Sequence, residues 1–384
     1  MSLSAPGSSS SRPRIYLLDF IRLVAILLMI HGHTLDAFTD PAAMDLDTFR
    51  WQTWVHLRGL TAPLFLMVSG AASVLGIRYE PDGRIARALL KRRFTMGLVV
   101  MVIGYLMVFP ANRIADLRWV SPDIWQGFLR VNILQLNGAT LLLLTTLLVF
   151  ARSVRRYAAW SLGVGFLILA CAPMVYAIDW FRWLPEGLAA YLSFQHGSLF
   201  PLFPASAYMF LGVGLGAVLL ETPEEGRVRV FRLTCLTASG ALLLLAMAAE
   251  RIPLSLLPAH DLYKVGHAYT LLRVGFALLI FALLAWTAEI YPRLAAAWAP
   301  LGRRSLFLYV GHLVLIYGTP WTPGLADGRF HALSVGNSAL FIPLVGGLSF
   351  GAVLAWDWVR NRSEAIRTFA HASVVFILAY ALVF

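Results

Sequence analysis

The stretch YLLDFIRLVAILLMIHGHTLDAF, residues 16–38, is the strongest indication of fold class in this chain. It is apolar and long enough to cross a bilayer as one helix, which takes about 20 residues. It nevertheless carries four ionisable side chains, Asp19, Arg22, His31 and His33. Such groups are costly inside a membrane unless they pair or line a cavity, and they therefore usually mark function. The stretch predicts a membrane helix with a functional role.

The spacing of these side chains indicates which of them work together. Arg22 and His33 are separated by about three helical turns, or roughly 16 Å of rise, and lie about 20° apart around the helix. Asp19 falls near the same face, while His31 points almost the opposite way. A structural alternative is that Asp19 and Arg22 neutralise each other and that His33 is an ordinary interfacial residue.

The composition supports an integral membrane protein. Of 384 residues, 59% are hydrophobic and 13% are charged, and the mean hydropathy is +0.73. Soluble domains carry about 25% charged residues. The net charge of +11 comes from short basic runs between apolar segments, which is typical of membrane topology signals and argues against a nucleic-acid partner. Cys171 and Cys235 lie in separate apolar segments, so neither a disulfide framework nor a metal site is expected.

Apolar runs near 20 residues predict about 11 transmembrane helices in an all-α, polytopic bundle. They lie at about 15–35, 53–77, 94–111, 132–151, 157–177, 199–220, 231–249, 270–288, 303–320, 336–358 and 366–384. Twenty of the 31 basic residues fall in alternate links on one side, against eight in the links opposite. This asymmetry places the N-terminus in the cytoplasm. We expect residues 1–14 to be a disordered cytoplasmic tail without a secretory signal, followed by one domain over 15–384.

The line of Asp19, Arg22 and His33 fits acyl transfer, which needs a base or a nucleophile that holds the acyl group. A single histidine serves either role. If the donor is a coenzyme A thioester, its pyrophosphate needs cations, and its pantetheine arm is comparable in length to the rise from Arg22 to His33. A proton-coupled transporter or lipid-glycan flippase is the alternative, although the chain lacks the internal repeat of many transporters.

Other polar residues complete the candidate site at its outer end. Asp36, one turn beyond His33, is a candidate to hold the imidazole tautomer, as carboxylates do in triads, or else begins a solvated loop. Arg58 is a candidate substrate contact or a snorkelling surface residue. The small residues 69–72 of the same span favour close helix packing.

Three further groups are candidates for the donor side. Arg92 and Arg93 precede the third span, where they are topology signals and lipid contacts or bind the donor phosphates. Gln135 hydrogen-bonds either a ligand or other helices. His312 falls near mid-membrane and is either a satisfied buried histidine or part of the donor tunnel.

Several motifs resemble one family in order along residues 15–315. The opening RIYLLDFIRLVAILLMIHGHTLDAF resembles the first helix of the transmembrane acyltransferase superfamily, with its Leu-Asp-x-x-Arg start and Arg-x10-His spacing. TAPLFLMVSGAA, VNILQLNGATLLLL, FPLFPASAYMFLGVGLG and LGRRSLFLYVGH are similar to later helices of that superfamily. The pattern is most similar to bacterial heparan-α-glucosaminide N-acetyltransferase-like proteins, which are related to the acyltransferase-three O-acyltransferases.

This resemblance implies an acyl-CoA-dependent N- or O-acetyltransferase in a bacterial-type inner membrane. Acetyl-CoA is the implied co-substrate, with no metal, and an extracytoplasmic sugar or glycoconjugate is the implied acceptor. The family histidine maps to His33 and the arginine to Arg22, while Leu23 replaces the glycine that many members carry. His31 is a second candidate proton carrier or substrate contact. The expected partners are these two substrates, membrane lipid and a second copy of the chain in a homodimer.

Overall fold

A computed structural model describes residues 15–251, 253 and 256–383, and within them the only β-type pairings are isolated bridges. Its helices are α1 (Tyr16–Phe38), α2 (Phe49–Gly59), α3 (Thr61–Val74), α4 (Arg87–Met107), α5 (Pro122–Leu129), α6 (Ile133–Phe150), α7 (Val154–Tyr176), α8 (Glu186–Ala189), α9 (Leu202–Glu221), α10 (Arg227–Ala249), α11 (Leu262–Val265), α12 (His267–Ile290), α13 (Pro292–Gly302), α14 (Ser305–Tyr317), α15 (Val335–Arg360) and α16 (Glu364–Val383). The all-α fold class is confirmed. The predicted tail at 1–14 lies outside the described residues.

Nine helices of the described chain are long and apolar enough to cross a membrane, counting α2 and α3 as one. Two of the eleven predicted spans are not among these nine helices. The span at 94–111 lies on α4, whose first two turns carry Arg87, Lys91, Arg92 and Arg93 and are therefore polar. The span at 303–320 lies on α14, whose 13 residues cover only about 20 Å.

Helix α1 lies inside the bundle, where it packs against α3, α12, α13, α14 and α15. Most of its apolar window is buried, whereas none of the side chains that the structure describes on α16 is buried. The ionisable residues of α1 are therefore among protein neighbours rather than lipid, which is the arrangement that such residues require in a membrane.

Helices α3 and α9 approach so closely that small residues are required at the contact. A Cβ atom added at Gly70 would overlap the Met209 backbone, and one at Gly212 would overlap the Met67 backbone. Close backbone approach through small residues is a common way for membrane helices to pack. The predicted packing role of the small residues in this span is confirmed.

The end of α1 is held by a short segment that follows α14 in the chain. The His331 amide donates to the Ala37 carbonyl and the Leu333 amide to the Phe38 carbonyl, each at 2.9 Å. The Asp40 amide donates back to Leu333 at 2.9 Å. These bonds satisfy carbonyls that a helix end leaves unpaired, and they fix the segment before α15 over the end of α1.

Candidate functional site

Two imidazoles meet between α1 and α14. The rings of His33 and His312 have centroids 5.5 Å apart. His312 is completely buried, and its Nδ1 lies 2.9 Å from the Leu308 carbonyl oxygen. Its Nε2 has no hydrogen-bond partner among the described residues. Because Nδ1 donates to this carbonyl, Nε2 of the neutral ring is able to accept a hydrogen bond from a bound molecule.

Two tyrosines of α14, neither of them predicted from the sequence, complete the surroundings of this pair. The Tyr317 ring lies edge-on to His33 with centroids 6.2 Å apart, and its hydroxyl donates to the His33 carbonyl at 3.4 Å. The Tyr309 ring lies 5.4 Å from the His312 ring and stacks on Phe65. Their spacing from His312 places them within one or two turns of it, which is the only sequence signal that could have suggested them.

Asp36 and Arg58 form an ion pair beside the imidazoles. Arg58 Nη2 lies 2.6 Å from Asp36 Oδ2, and a Cβ at Gly32 would be 3.6 Å from the Arg58 side chain. The guanidinium also lies over the Trp54 ring, 5.3 Å from its centroid. Within the described part of the chain Asp36 has no hydrogen bond to His33, because its carboxylate faces Arg58 instead.

Asp19 and Arg22 occupy the other end of α1. Their side chains are joined by a 3.2 Å contact between Arg22 Nη1 and Asp19 Oδ1, and Asp19 is only 6% exposed. Helix α13 crosses here so closely that a Cβ at Gly302 would overlap the Asp19 carbonyl oxygen. The predicted neutralising pair is therefore present, and it is held against a neighbouring helix.

Arg93 lies at the same end of the bundle as Arg22. Arg58 contacts Asp36 near the C-terminal end of α1. Ser73 is at the opposite end of the α2–α3 span from Arg58, so it lies near the N-terminal end of α1. Arg93 donates a hydrogen bond to the Ser73 carbonyl. This arrangement gathers the predicted donor-side arginines at one end of the bundle.

Tyr79 adds a neutral donor to this cationic end. Burial raises the pKa of Tyr79 to about 12, against the opposing effect of the Arg93 charge. Its hydroxyl oxygen is buried without a hydrogen-bond partner among the described residues. The hydroxyl therefore stays protonated at neutral pH and is able to donate to an anion beside Arg93. Arg92, the adjacent residue, is exposed.

The remaining predicted residues lie apart from the imidazole pair. Gln135 is completely buried on α6, next to Gly104 of α4, and both of its side-chain polar atoms lack partners among the described residues. His31, on the other face of α1, makes no hydrogen bond or ring contact with any residue that the structure describes. No cluster of three or more potential metal ligands occurs in the described ranges.

The geometry therefore has two parts, an imidazole pair with an adjoining ion pair at one end and a cationic cluster at the other. The family model for the catalytic domain of heparan-alpha-glucosaminide N-acetyltransferase matches residues 14–249. No match was found among curated proteins. The match includes His33 and covers more than half of the chain, and the chain therefore belongs to the heparan-alpha-glucosaminide N-acetyltransferase catalytic family, whose members are membrane acetyltransferases that act on glycans.

Proposed function

We propose that this protein transfers the acetyl group of cytoplasmic acetyl-CoA to an amine or hydroxyl of an extracytoplasmic glycan. The observation that carries the proposal is that the ring of His33, on the same helix as Arg22, lies 5.5 Å from the ring of His312 on α14. Acetyl-CoA is the general donor of the family. The helix is continuous from Tyr16 to Phe38, so Arg22 and His33 are separated by about 16 Å of rise along it.

The donor would be bound from the cationic end. Arg22, Arg92 and Arg93 supply positive charge for its phosphates, since charge-assisted hydrogen bonds to phosphate are the strong ones. Tyr79 donates a further hydrogen bond there. Asp19 orients Arg22 through their 3.2 Å contact. The pantetheine arm then runs along α1 toward His33 and the buried Nε2 of His312, which lacks a protein partner in the described chain.

His33 performs the chemical step by one of two routes, direct transfer or a covalent acetyl-histidine intermediate. In direct transfer its imidazole takes a proton from the acceptor amine or hydroxyl, whose N or O attacks the thioester carbon. The C–S bond breaks, and the leaving thiolate receives the proton to give coenzyme A. In the covalent route an imidazole nitrogen attacks the thioester, coenzyme A leaves, and the acceptor then takes the acetyl group from His33.

Asp36 and Arg58 would act on the acceptor side of His33. Because Asp36 is paired with Arg58, its role is to fix the position of the guanidinium rather than to orient the imidazole directly. Arg58 keeps two or more N–H donors for the acceptor or for the developing oxyanion, where a preorganised donor is most effective.

Acceptor-dependent release of thiol from acetyl-CoA tests this proposal. Purified protein in detergent is mixed with acetyl-CoA and a panel of amino sugars and neutral glycans, and free thiol and acetylated product are measured together. We expect stoichiometric thiol and product with at least one amine or hydroxyl acceptor. Absence of both turnover and acetyl-CoA binding in a folded preparation would contradict the proposal and favour transport.

Removal of the Asp19–Arg22 pair should weaken donor binding. Arg22→Ala alone removes the cation beside a buried carboxylate, so the clean variant is Arg22→Ala with Asp19→Asn. We expect its Kd for acetyl-CoA, measured by calorimetry, to rise about 10- to 100-fold, the loss expected for hydrogen bonds to a charged group. Arg229→Ala, an exposed residue of α10, is the control. An unchanged Kd in the double variant would exclude Arg22 from the donor site.

Asp36 and Arg58 should behave as one unit. We expect Asp36→Asn and Arg58→Gln each to lower kcat about tenfold, and the double variant to be no worse than the poorer single, as for directly coupled residues. Their effect on thermal unfolding should be small because the pair is partly exposed. Arg155→Gln, which breaks the 2.9 Å pair with Glu221 elsewhere, is the control. Additive losses in kcat would show that the two residues act independently.

A further inference from the structure

A cleft of about 470 Å³ lies next to the imidazole site and is formed by the chain that follows α14. It includes Tyr317, whose ring is 6.2 Å from that of His33. Clefts that bind small molecules in proteins span about 300–1,000 Å³. The cleft therefore has the size for a sugar unit or two, and one of its walls is also a wall of the candidate active site.

The cleft is built by an ordered segment. The Trp321 indole donates to the Asn112 carbonyl at 2.7 Å and stacks on Phe109. Thr319 and Thr322 close a turn through their hydroxyls, 2.9 Å apart. Farther along, the 2.9 Å bond from the His331 amide ties the segment to the end of α1. These contacts preorganise the cleft, which reduces the ordering that a ligand would have to impose.

The lining indicates which ligand the cleft accepts. Aromatic side chains, hydroxyl groups and one carboxylate line it, including Tyr317, Thr319, Trp321, Thr322, Asp327 and Phe330. None of the described lining residues is Lys, Arg or His. The Asp327 side chain is exposed and forms no ion pair within the described chain. Arg329, although nearby in sequence, directs its guanidinium to the Leu325 carbonyl at 3.3 Å.

We infer that this cleft binds the acceptor and selects a neutral or amine-bearing sugar over an anionic one. The inference rests on the proposed function. Aromatic side chains offer an apolar surface to the C–H face of a sugar, and Asp327 accepts hydrogen bonds from its hydroxyl or ammonium groups. A sulfate or carboxylate in the same place would face Asp327 with no lining cation, and like charges in contact oppose binding.

This selectivity would belong to the present chain and not to the matched family region. The family model ends at residue 249, whereas the cleft is formed from residue 317 onwards. The family's description mentions heparan, which is a polyanion. The cleft indicates an acceptor of different charge, presented to the same His33.

Matched acceptors and one charge change test the inference. Acetyl transfer is measured with a glucosamine-terminated oligosaccharide that has no acidic groups and with one of equal length that carries uronate and sulfate. We expect wild-type kcat/KM to favour the acceptor without acidic groups at least tenfold. Asp327→Asn should raise the KM for the acceptor without acidic groups about tenfold and leave the KM for acetyl-CoA unchanged. Asp327→Lys should reduce or reverse the preference between the two acceptors. Asp123→Asn, at an exposed residue that does not line the cleft, should leave all values unchanged.

The outcomes separate the two proposals. Turnover that is equal for both acceptors, or that is unaffected by Asp327→Asn and Asp327→Lys, would overturn the cleft assignment and leave the acetyltransferase proposal standing. Absence of turnover with every acceptor would contradict the proposed function itself. Because Asp327 is exposed and unpaired in the described chain, both variants should fold, and equal thermal unfolding midpoints would verify this.

Discussion

His33→Ala should lower acetyl transfer by about 10²- to 10⁴-fold, the contribution typical of a general base, and by more if the imidazole carries the acetyl group. The side chain is partly exposed and lies beside His312 and Tyr317, so its loss removes a chemical group from a site rather than a block of the core. Folding should therefore be retained. Turnover of acetyl-CoA with a saturating acceptor measures the effect, with size-exclusion profile and thermal unfolding measured on the same samples.

Two other histidine variants are compared with His33→Ala. His56→Ala, on the exposed face of α2, should have wild-type turnover. His31→Ala tests whether the opposite face of α1 takes part, and we expect a loss of no more than about threefold, small beside that for a general base. Full turnover in well-folded His33→Ala, or an equal loss in His31→Ala, would contradict the assignment of His33.

Gly302→Ala should destabilise the protein more than any other single methyl addition at the site. Its Cβ would overlap the Asp19 carbonyl oxygen. The positions of both atoms are fixed by helix backbones, so no side-chain rotamer change can relieve the overlap. One helix must move, and overpacking of this kind costs about 1–3 kcal/mol, occasionally more. We expect a clear fall in the thermal unfolding midpoint in detergent and a weaker affinity for acetyl-CoA, because Arg22 is held at the same crossing.

Gly240→Ala is the matched control on α10. A Cβ at that position meets nothing within 4 Å, and alanine favours a helix by about 1 kcal/mol relative to glycine. Its midpoint should be equal to or above that of the wild type. A Gly302→Ala variant with a wild-type midpoint would show that α1 and α13 are not in backbone contact.

The sequence was sufficient for features that depend on local periodicity and composition. Runs of apolar residues predicted the helices, and the eleven-residue interval from Arg22 to His33 predicted their common line on α1. The small residues around Gly70 predicted close packing with a neighbour. Each of these follows from helix geometry within one segment, so no knowledge of the rest of the fold was needed.

Features that depend on contacts between distant segments could not be predicted in this way. His312 was a candidate, but nothing in the sequence places its ring beside that of His33 from the other end of the chain. The same holds for the Asp36–Arg58 pair, since the spacing of Asp36 from His33 on one helix suggested a contact within α1. Tyr317 and Asp327 were missed because aromatic and acidic residues at a helix end or in a loop are common.

Transfer across a sealed membrane tests directly whether His33 passes the acetyl group from a cytoplasmic donor to an extracytoplasmic acceptor, as we propose. Labelled acetyl-CoA, which does not cross membranes, is added outside inverted or right-side-out vesicles that enclose the acceptor. We expect labelled, enclosed product in inverted vesicles only, and none with His33→Ala. Product in right-side-out vesicles alone, or equal product with His33→Ala, would contradict this proposal.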